Sequence, residues 1–370
     1  MKCARAPLSN RLFFLVASCL YPFLAFGETV ETFYGSIEVE EPVILELIKS
    51  PAIQRLKHIH QYGVAYYTTH TEDYNRFDHS LGVFAILKKN NATLEEQIVG
   101  LLHDVSHTVF SHVGDWLFGK EYQEEDYQTT IYKIYLSHSG IEDILVKHGF
   151  ILNNLQPKCK KFIKLEQSLP NLCADRIDYN IQGAYYQKFL TKEEAIELYN
   201  DLRFVDGRWV GTRIDLLKKL ARFTLFMTQD CWGAADNYAA SRWLADAMLK
   251  GLAMGLITWN EIHFGVDQDI WNKLLNSQDE YIQKRMHMVL HATQYFKWVD
   301  PADADVLVKF RCRGIDPWVL HKGQIIRLSI IDADLAHEID VVKKRANEGW
   351  PIKLLDAPTP NYFDSWLATP

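Results

Sequence analysis

An apolar helical stretch that ends in two adjacent polar side chains constrains the fold of this chain more than any other feature. The spacing of apolar residues predicts a helix from Leu94 to His103, and Asp104 follows directly. Adjacent side chains on a regular helix do not share a face. His103 and Asp104 can bind the same ion only where the backbone turns, so the sequence predicts a metal centre at the end of this helix.

Further candidate ligands lie on two other predicted helices. His79 begins an apolar helix, and Asp175 lies on a helical face that it shares with Asp178 and Tyr179, at spacings of three and four. Imidazole nitrogen and carboxylate oxygen together suit divalent first-row metals. The predicted ligands of a divalent Mn, Fe, Mg, Ni or Zn ion are therefore His79, His103, Asp104 and Asp175.

Helical periodicity dominates most of the chain, so we expect a mainly α-helical fold with a small α+β region at the C-terminus. Two helices are predicted within Glu41–Gln61, and the second starts at Pro51 and has Gly63 as its C-terminal cap. The other predicted helices lie within Tyr127–Leu136, Ile141–Val146, Leu216–Thr228, Ala234–Leu256, Asp267–Ala292 (one helix) and Ala336–Asn347. Strands are predicted at Val306–Phe310 and Ile325–Ile331, and a hairpin with an Asp206-Gly207 turn at Phe204–Val210. Thr93 and Glu96 have the spacing of a capping box.

Length and composition indicate a folded protein with a sizeable core. The chain has 370 residues, of which 48% are hydrophobic, and its formal net charge is −7. Because there is no basic bias, we do not expect it to bind long nucleic acid. We divide it into a signal peptide (1–27), a core unit (28–200), a helical extension of that core (201–300) and a small α+β region (301–370).

The N-terminal segment has the pattern of a secretory signal. Basic residues at Lys2, Arg5 and Arg11 precede an apolar stretch, and Gly27 completes a small-residue cleavage site. We expect an exported, periplasmic or secreted protein whose mature chain has no transmembrane span. Two alternatives remain open: Cys19 ends a sequence similar to a bacterial lipobox, and without a genuine signal the protein would be cytoplasmic.

The cysteines and late tryptophans have ordinary interpretations. The cysteines beyond the signal are Cys159, Cys173, Cys231 and Cys312. They contain no Cys-x-x-Cys pair, which excludes a zinc ribbon, and we favour free thiols over disulfides. The late tryptophans are predicted to be core residues, with base stacking as the alternative: Trp232, Trp243, Trp259 and Trp271.

Six short blocks occur in an order that carries a family resemblance. They are Gln54-Arg55-Leu56, Gln61-Tyr62-Gly63, Arg76 to Gly82, Leu101 to Asp104, Phe110-Ser111-His112 and Asp175 to Tyr179, spread over roughly residues 32 to 190. Together they resemble the deoxynucleotide triphosphohydrolase-like branch of the HD superfamily of metal-dependent phosphohydrolases. The resemblance implies an HD-domain helical fold and the hydrolysis of a phosphate ester or anhydride in a small phosphorylated substrate, with a nucleotide as the first expectation.

The resemblance also implies roles for single residues. Asp104 would serve both as a ligand and as a catalytic group, and His107 as a general acid or phosphate contact. Arg76 would bind a phosphate oxygen, with a structural salt bridge to Asp78 or Asp175 as the alternative. The remaining substrate-side or supporting groups are His112, Asp178 and Tyr179.

The chain departs from that branch at three places. Ser106 replaces a glycine, Tyr74 stands where a histidine is usual, and residues 121–127 lack the expected histidine of a His-Glu pair. The triphosphohydrolase subtype therefore stays open, and two rivals remain. One is a phosphohydrolase for a non-nucleotide phosphoester, and the other is a non-catalytic, metal-bound ligand-sensing domain. Assembly into a homo-oligomer is also left open.

Overall fold

A computed structural model describes residues 27–69, 72–118 and 127–356. The predicted signal peptide lies outside these residues, apart from Gly27, and so does most of the segment in which a histidine is missing. Within the described parts the fold is mainly α-helical with small sheets, which confirms the predicted fold class.

Seventeen α-helices form the bulk of the described chain. The first nine are α1 (Pro42–Lys49), α2 (Pro51–Arg55), α3 (Val64–Thr69), α4 (Arg76–Lys89), α5 (Leu94–Leu102), α6 (Val113–Leu117), α7 (Tyr127–His138), α8 (Ile141–Lys147) and α9 (Ala174–Tyr186). The others are α10 (Lys192–Asp201), α11 (Ile214–Phe226), α12 (Ala235–Ala253), α13 (Trp259–Phe264), α14 (Asp267–Leu275), α15 (Glu280–Leu290), α16 (Leu328–Ile331) and α17 (Ala333–Glu348). A π-helical turn, Met227–Trp232, follows α11.

Short strands form three separate sheets. They are β1 (Glu28–Thr32), β2 (Gly35–Val39), β3 (Arg203–Val205), β4 (Arg208–Gly211), β5 (Phe296–Trp298), β6 (Val306–Val308), β7 (Trp318–His321), β8 (Gln324–Arg327) and β9 (Trp350–Leu354). The sheets have the orders β1-β2, β3-β4-β7-β8 and β5-β9-β6. Both larger sheets join strands from either side of residue 300, where we placed a boundary, and the division into regions stays a prediction.

Helix α4 lies at the centre of the N-terminal half because two glycines let its neighbours approach closely. A Cβ at Gly100 of α5 would lie 2.2 Å from Cδ1 of Leu87 on α4. A Cβ at Gly82 of α4 would lie 1.9 Å from Oδ1 of Asp178 on α9. Helix α4 therefore packs directly against both α5 and α9, and these three helices carry the candidate ligands.

The predicted hairpin is confirmed by backbone geometry. Strands β3 and β4 pair antiparallel, and the turn residues Asp206 and Gly207 both have positive φ, 48° and 79°. This is the conformation in which an Asp-Gly pair is favoured. Strand β4 continues into a parallel pairing with β7, where Val210 lies opposite Trp318.

Several predicted element boundaries are wrong. The helix that starts at Pro51 ends at Arg55 rather than at Gly63, and α3 begins directly after Gly63. The single helix predicted within Asp267–Ala292 is two helices, α14 and α15. The strand predicted at Ile325–Ile331 ends at Arg327, and the residues after it form α16. Local apolar spacing does not distinguish these alternatives, which depend on packing with distant parts of the chain.

The predicted capping box is only half formed. Thr93 Oγ1 accepts a hydrogen bond from the amide of Glu96, at 3.2 Å. The Glu96 carboxylate is used elsewhere, because its Oε1 accepts the amides of Lys164 (2.7 Å) and Leu165 (3.0 Å). Glu96 thus attaches a distant loop to α5 instead of closing its own helix end.

The described residues contain neither a membrane-spanning helix nor a disulfide. Within them, no helix is both long and apolar enough to cross a membrane. The four described cysteines are free thiols, as expected.

Candidate metal centre

Three helix ends bring the predicted ligands together. Asn75 caps α4 by accepting the amide of Asp78 at 2.9 Å, so α4 begins at Arg76 and His79 lies one turn inside it, not at its start as predicted. His103 is the C-terminal cap of α5, and Asp175 lies in the first turn of α9. Asp104 follows where the backbone leaves the helix, as its adjacency to His103 requires.

The distances between the candidate donor atoms are those of one coordination site. Nε2 of His79 lies 3.1 Å from Nε2 of His103 and 3.1 Å from Oδ1 of Asp175. Asp104 lies within reach of both imidazoles, with Oδ2 3.6 Å from His79 and Oδ1 3.5 Å from His103. Ligands about 2.1 Å from one metal ion are separated by roughly 3.0 to 3.4 Å. His79, His103 and Asp175 fit such an ion, because their donor atoms all lie within 4.8 Å of one another, and this group does not include Asp104.

The hydrogen bonds of the two histidines leave both Nε2 atoms free to bind a cation. Nδ1 of His79 lies 2.6 Å from Oδ2 of Asp178, and Nδ1 of His103 lies 2.8 Å from the carbonyl oxygen of Gly100. Each Nδ1 therefore carries the proton, and each Nε2 presents a lone pair. Two lone pairs facing each other at this distance repel, and a shared metal ion removes the repulsion.

The electrostatics of the cluster also favour a cation. Burial alone lowers the pKa of His79, but Asp175, Asp178 and Asp104 outweigh it and raise the pKa to about 10. Burial raises the pKa of Asp104, yet the charges of Arg76 and His103 hold it well below its ordinary value. A proton is thus strongly attracted to this site, and a divalent ion takes its place when it binds to neutral imidazoles and ionised carboxylates.

Asp178 supports His79 from behind. Its carboxylate is fully buried, and besides His79 it accepts Tyr34 Oη at 2.8 Å and Nε2 of Gln182 at 2.9 Å. Tyr34 comes from the turn between β1 and β2, which the sequence did not connect to the site. The sequence left two roles open for Asp178, contact with the substrate or support of a ligand. Because no surface of its side chain reaches solvent, the structure favours support and corrects the expectation of substrate contact.

Arg76 is paired inside the protein. Its Nη1 contacts Oδ2 of Asp104, and its Nε donates to Oγ of Ser111 at 2.9 Å. The side chain is only 2% exposed. The structural salt bridge considered for Arg76 is therefore formed with Asp104, and not with Asp78 or Asp175. The guanidinium orients one candidate ligand and offers little surface to a phosphate group.

The two histidines that follow the His-Asp pair lie in different environments. His107 is buried with Nε2 3.3 Å from Oδ1 of Asp104, and burial together with Arg76 lowers its pKa to about 4. Its Nδ1 has no hydrogen-bond partner among the residues that the structure describes. The side chain of His112 is 52% exposed, and its Nδ1 lies 3.3 Å from Oδ2 of Asp115. His107 is thus a neutral neighbour of Asp104, whereas His112 borders open space.

A buried carboxylate that the sequence did not identify holds the adjoining loops. Asp267, at the start of α14, accepts the amide of Phe110 at 2.7 Å and that of His60 at 2.9 Å. Phe110 and Ser111 both have positive φ, 56° and 54°, which L-residues adopt only when their surroundings enforce it. The same Ser111 donates its hydroxyl to the carbonyl oxygen of His60 at 2.7 Å. The backbone of His60 is therefore part of this loop clamp.

Glu166 and Cys173 also lie beside the centre without having been predicted there. Their donor atoms and one from Asp175 all lie within 4.8 Å of one another. Cys173 is the residue that precedes α9, and the sequence alone placed both groups among ordinary core or loop positions.

A wide cavity borders residues that contact the metal centre, but none of the four candidate ligands lines it. Its volume is about 1020 Å³, and Ser111, His112 and Tyr179 line it. Aromatic side chains are frequent around it, including Trp116, Trp232, Tyr238 and Phe310. Trp232 is thus a cavity residue rather than a core residue as predicted, and Trp259 is likewise 39% exposed.

Comparison with known proteins agrees with this geometry. No family model matches the chain. It is 32% identical over 328 residues to the uncharacterized protein YdhJ of Bacillus subtilis, across 89% of this chain and 99% of that protein. It is 36% identical over 308 residues to the metal-dependent phosphohydrolase cns2 of Cordyceps militaris, across 80% of this chain and 87% of that one. The chain belongs to the HD superfamily of metal-dependent phosphohydrolases. It is a hydrolase with a divalent metal cofactor.

More distant similarities extend the comparison of this phosphohydrolase. Deoxynucleoside triphosphate triphosphohydrolase SAMHD1 of Gallus gallus is 28% identical over 162 residues, which cover 37% of this chain and only 26% of that protein. A crystal structure of a hypothetical protein from Aquifex aeolicus superposes with a TM-score of 0.61 at 17% identity, across 87% of this chain. At that identity the superposition establishes a shared fold and nothing further.

Proposed function

We propose that this phosphohydrolase cleaves a phosphate ester or anhydride bond of a nucleotide. The observation that carries the proposal is the aromatic-lined cavity, which shares Ser111, His112 and Tyr179 with the surroundings of the metal centre. Its size suits a ligand larger than a phosphate group, and aromatic rings offer stacking surfaces to a base. The name of SAMHD1, a deoxynucleoside triphosphate triphosphohydrolase, adds support through the part of the chain that aligns.

His79, His103, Asp104 and Asp175 would hold the metal ion. When bound, the ion supplies Lewis acidity and lowers the pKa of water. Arg76 holds Asp104 in place through their buried ion pair. Nε2 of His107 lies 3.3 Å from Oδ1 of the same carboxylate, so the two oxygens of Asp104 each have a neighbour that can orient them.

His112 is the better placed of the two histidines to transfer a proton to a leaving group. Its ring borders the cavity, while His107 is buried and of low pKa. Asp115 lies against Nδ1 of His112 and can orient the ring. We therefore assign proton transfer to His112 and positioning of Asp104 to His107, in place of the acid role that the resemblance implied for His107.

Hydrolysis by the purified, metal-loaded enzyme tests the function. We expect phosphate release from nucleotides, loss of activity after chelation, and recovery when a divalent ion is restored. Asp104→Asn should lower kcat about 10³-fold or more, whereas Asp340→Asn on the exposed face of α17 should have no effect. Hydrolysis of p-nitrophenyl phosphate without any nucleotide would indicate a non-nucleotide substrate. Failure on both would refute the enzymatic proposal and favour a ligand-sensing role.

We also propose that residues 1–27 direct export, on the basis of their sequence pattern alone. N-terminal sequencing of the protein from its native source tests this. A mature chain that begins at Glu28 is expected, and one that begins at Met1 would refute export.

A further inference from the structure

One side of the wide cavity carries positive charges that the proposed function does not use. Lys309, Arg311 and Arg313 line the cavity on the segment that follows β6. They occur in a chain whose formal net charge is −7, so a cluster of three cations in five residues is a local feature. None of them was singled out by the sequence analysis, because alternating basic residues in an irregular segment have no distinctive pattern.

Within the described parts of the chain, these cations have no acidic partner. Among the residues that the structure describes, neither Lys309, Arg311 nor Arg313 forms an ion pair, whereas Arg222 nearby in the C-terminal half pairs with Glu338 at 3.0 Å. Unpaired cations beside a cavity create a positive field inside it.

The described lining of the cavity includes a single carboxylate, and it is already engaged. Asp115 accepts the amide of Tyr127 at 2.7 Å and lies 3.3 Å from Nδ1 of His112. Among the lining residues that the structure describes, no free carboxylate therefore neutralises the charge of Lys309, Arg311 and Arg313.

Close packing anchors the basic segment at two points. A Cβ at Gly233 would lie 2.4 Å from Cγ of Phe310, and the Phe310 ring stacks on Trp350 with centroids 6.4 Å apart. A Cβ at Gly314 would lie 2.7 Å from Cδ2 of Leu225. Because the backbone is held on both sides of Arg311 and Arg313, less conformational entropy is lost when these side chains bind a ligand.

The basic segment and the metal side are connected through Tyr179. This residue lies one turn beyond Asp175 on α9, and it lines the same cavity as Arg313. The centroid of its ring lies 6.4 Å from that of the His79 ring. The cavity lined by Arg313 therefore reaches a side chain that contacts a candidate ligand.

We propose that Lys309, Arg311 and Arg313 bind a second phosphate group of the substrate while the phosphate to be cleaved lies at the metal centre. This rests on the proposed function. Guanidinium groups bind phosphate oxygens with paired hydrogen bonds, and cations in a shared cavity distinguish a polyanion from a single phosphoester. The enzyme then prefers nucleotides with two or more phosphate groups over monophosphates.

Anion binding by the holoenzyme tests the site without depending on turnover. Titration calorimetry, with free divalent metal in constant excess, compares tripolyphosphate with inorganic phosphate. The double variant Arg311→Gln/Arg313→Gln should raise the Kd for tripolyphosphate roughly 10-fold or more, since hydrogen bonds to charged groups are lost. The Kd for inorganic phosphate should change little. The matched control Lys343→Gln/Lys344→Gln removes the same charge from the exposed face of α17 and should leave both values unchanged.

The outcomes separate this site from the proposed function. An unchanged Kd for tripolyphosphate in the double variant, an equal loss in both double variants, or no tripolyphosphate binding by the unmodified protein would each refute the site. If the double variant unfolds, Arg311→Gln alone is measured, with the same direction of change expected. Hydrolysis of nucleotides with unaltered preference for di- and triphosphates in the variant refutes the site and leaves the function intact. Selective tripolyphosphate binding without hydrolysis of any phosphate compound supports the site and refutes the proposed function.

Discussion

The metal side of the molecule and the basic segment beside the cavity are built in opposite ways. On the metal side, charged groups are buried and bonded to one another, as in the chain from Tyr34 through Asp178 to His79. On the C-terminal side, Lys309 and Arg311 are exposed on an irregular segment and form no ion pair among the described residues. Buried charges require each other, because removing one partner leaves the other desolvated and unpaired. Exposed charges are free to bind a ligand and contribute little to stability.

The largest effect is expected where the buried network loses a central member. Asp178→Ala would leave Nδ1 of His79, the hydroxyl of Tyr34 and the amide of Gln182 without their acceptor. We expect a loss of about 3–5 kcal/mol in the free energy of unfolding and a metal affinity lowered about 10- to 100-fold. Urea denaturation and metal titration measure the two, with Asp340→Ala as an exposed control. A folded variant with unaltered metal affinity would show that Asp178 does not support His79.

A methyl group at the contact between α4 and α9 should disturb the same network without removing a charge. In Gly82→Ala the new Cβ would lie 1.9 Å from Oδ1 of Asp178, so the carboxylate has to move away from His79. We expect about 1–3 kcal/mol of destabilisation and weaker metal binding. Gly251→Ala on α12 is the matched control, because its Cβ would approach no atom closer than 3.3 Å. Equal stabilities for the two variants would contradict a tight contact at Gly82.

Asp267 gives the metal side a pH dependence that the C-terminal side lacks. Burial raises its pKa from 3.8 to about 6, although the amides of His60 and Phe110 partly oppose the rise. Between these values the folded protein holds a proton that the unfolded chain has released, so this group's contribution to stability falls as pH increases. Asp267→Asn removes that dependence.

The quantity to measure for Asp267 is the difference in the free energy of unfolding between the unmodified protein and Asp267→Asn. Urea denaturation at pH 5 and pH 7.5 should show that Asp267→Asn is destabilised more at pH 5 than at pH 7.5, by about 1 to 1.5 kcal/mol. An identical difference at both pH values would mean that the Asp267 carboxyl titrates normally in the folded protein.

The smallest effect is expected on the C-terminal side. Arg311→Gln should change the free energy of unfolding by less than about 0.5 kcal/mol, because the side chain is exposed and forms no ion pair with the described residues. Metal affinity should also be unchanged. Thermal denaturation and metal titration check both, and a loss comparable to that of Gly82→Ala would show that the two sides are not built differently.

Local patterns predicted one helix end and the family correctly. The adjacency of His103 and Asp104 requires a helix end, and α5 ends there. The order of blocks around His79 and Asp175 carried the family resemblance, which the relationship to cns2 confirms. Helix lengths were less predictable, as at Gly63, because the end of a helix is decided by what packs against it.

The amino-acid sequence by itself determined the helical class and the family, since both depend on patterns among residues that are near neighbours along the chain. It also predicted the candidate ligands, which are far apart in sequence. Only the tertiary structure decided which groups support those ligands. Asp178 is bonded to Tyr34, Asp267 to the amides of two distant loops, and Arg76 to Asp104. It also brought the basic segment at Arg311 to the cavity. A buried polar group needs a hydrogen-bond partner. Sequence spacing does not show which distant residue that partner is, so these contacts are known only from the folded chain.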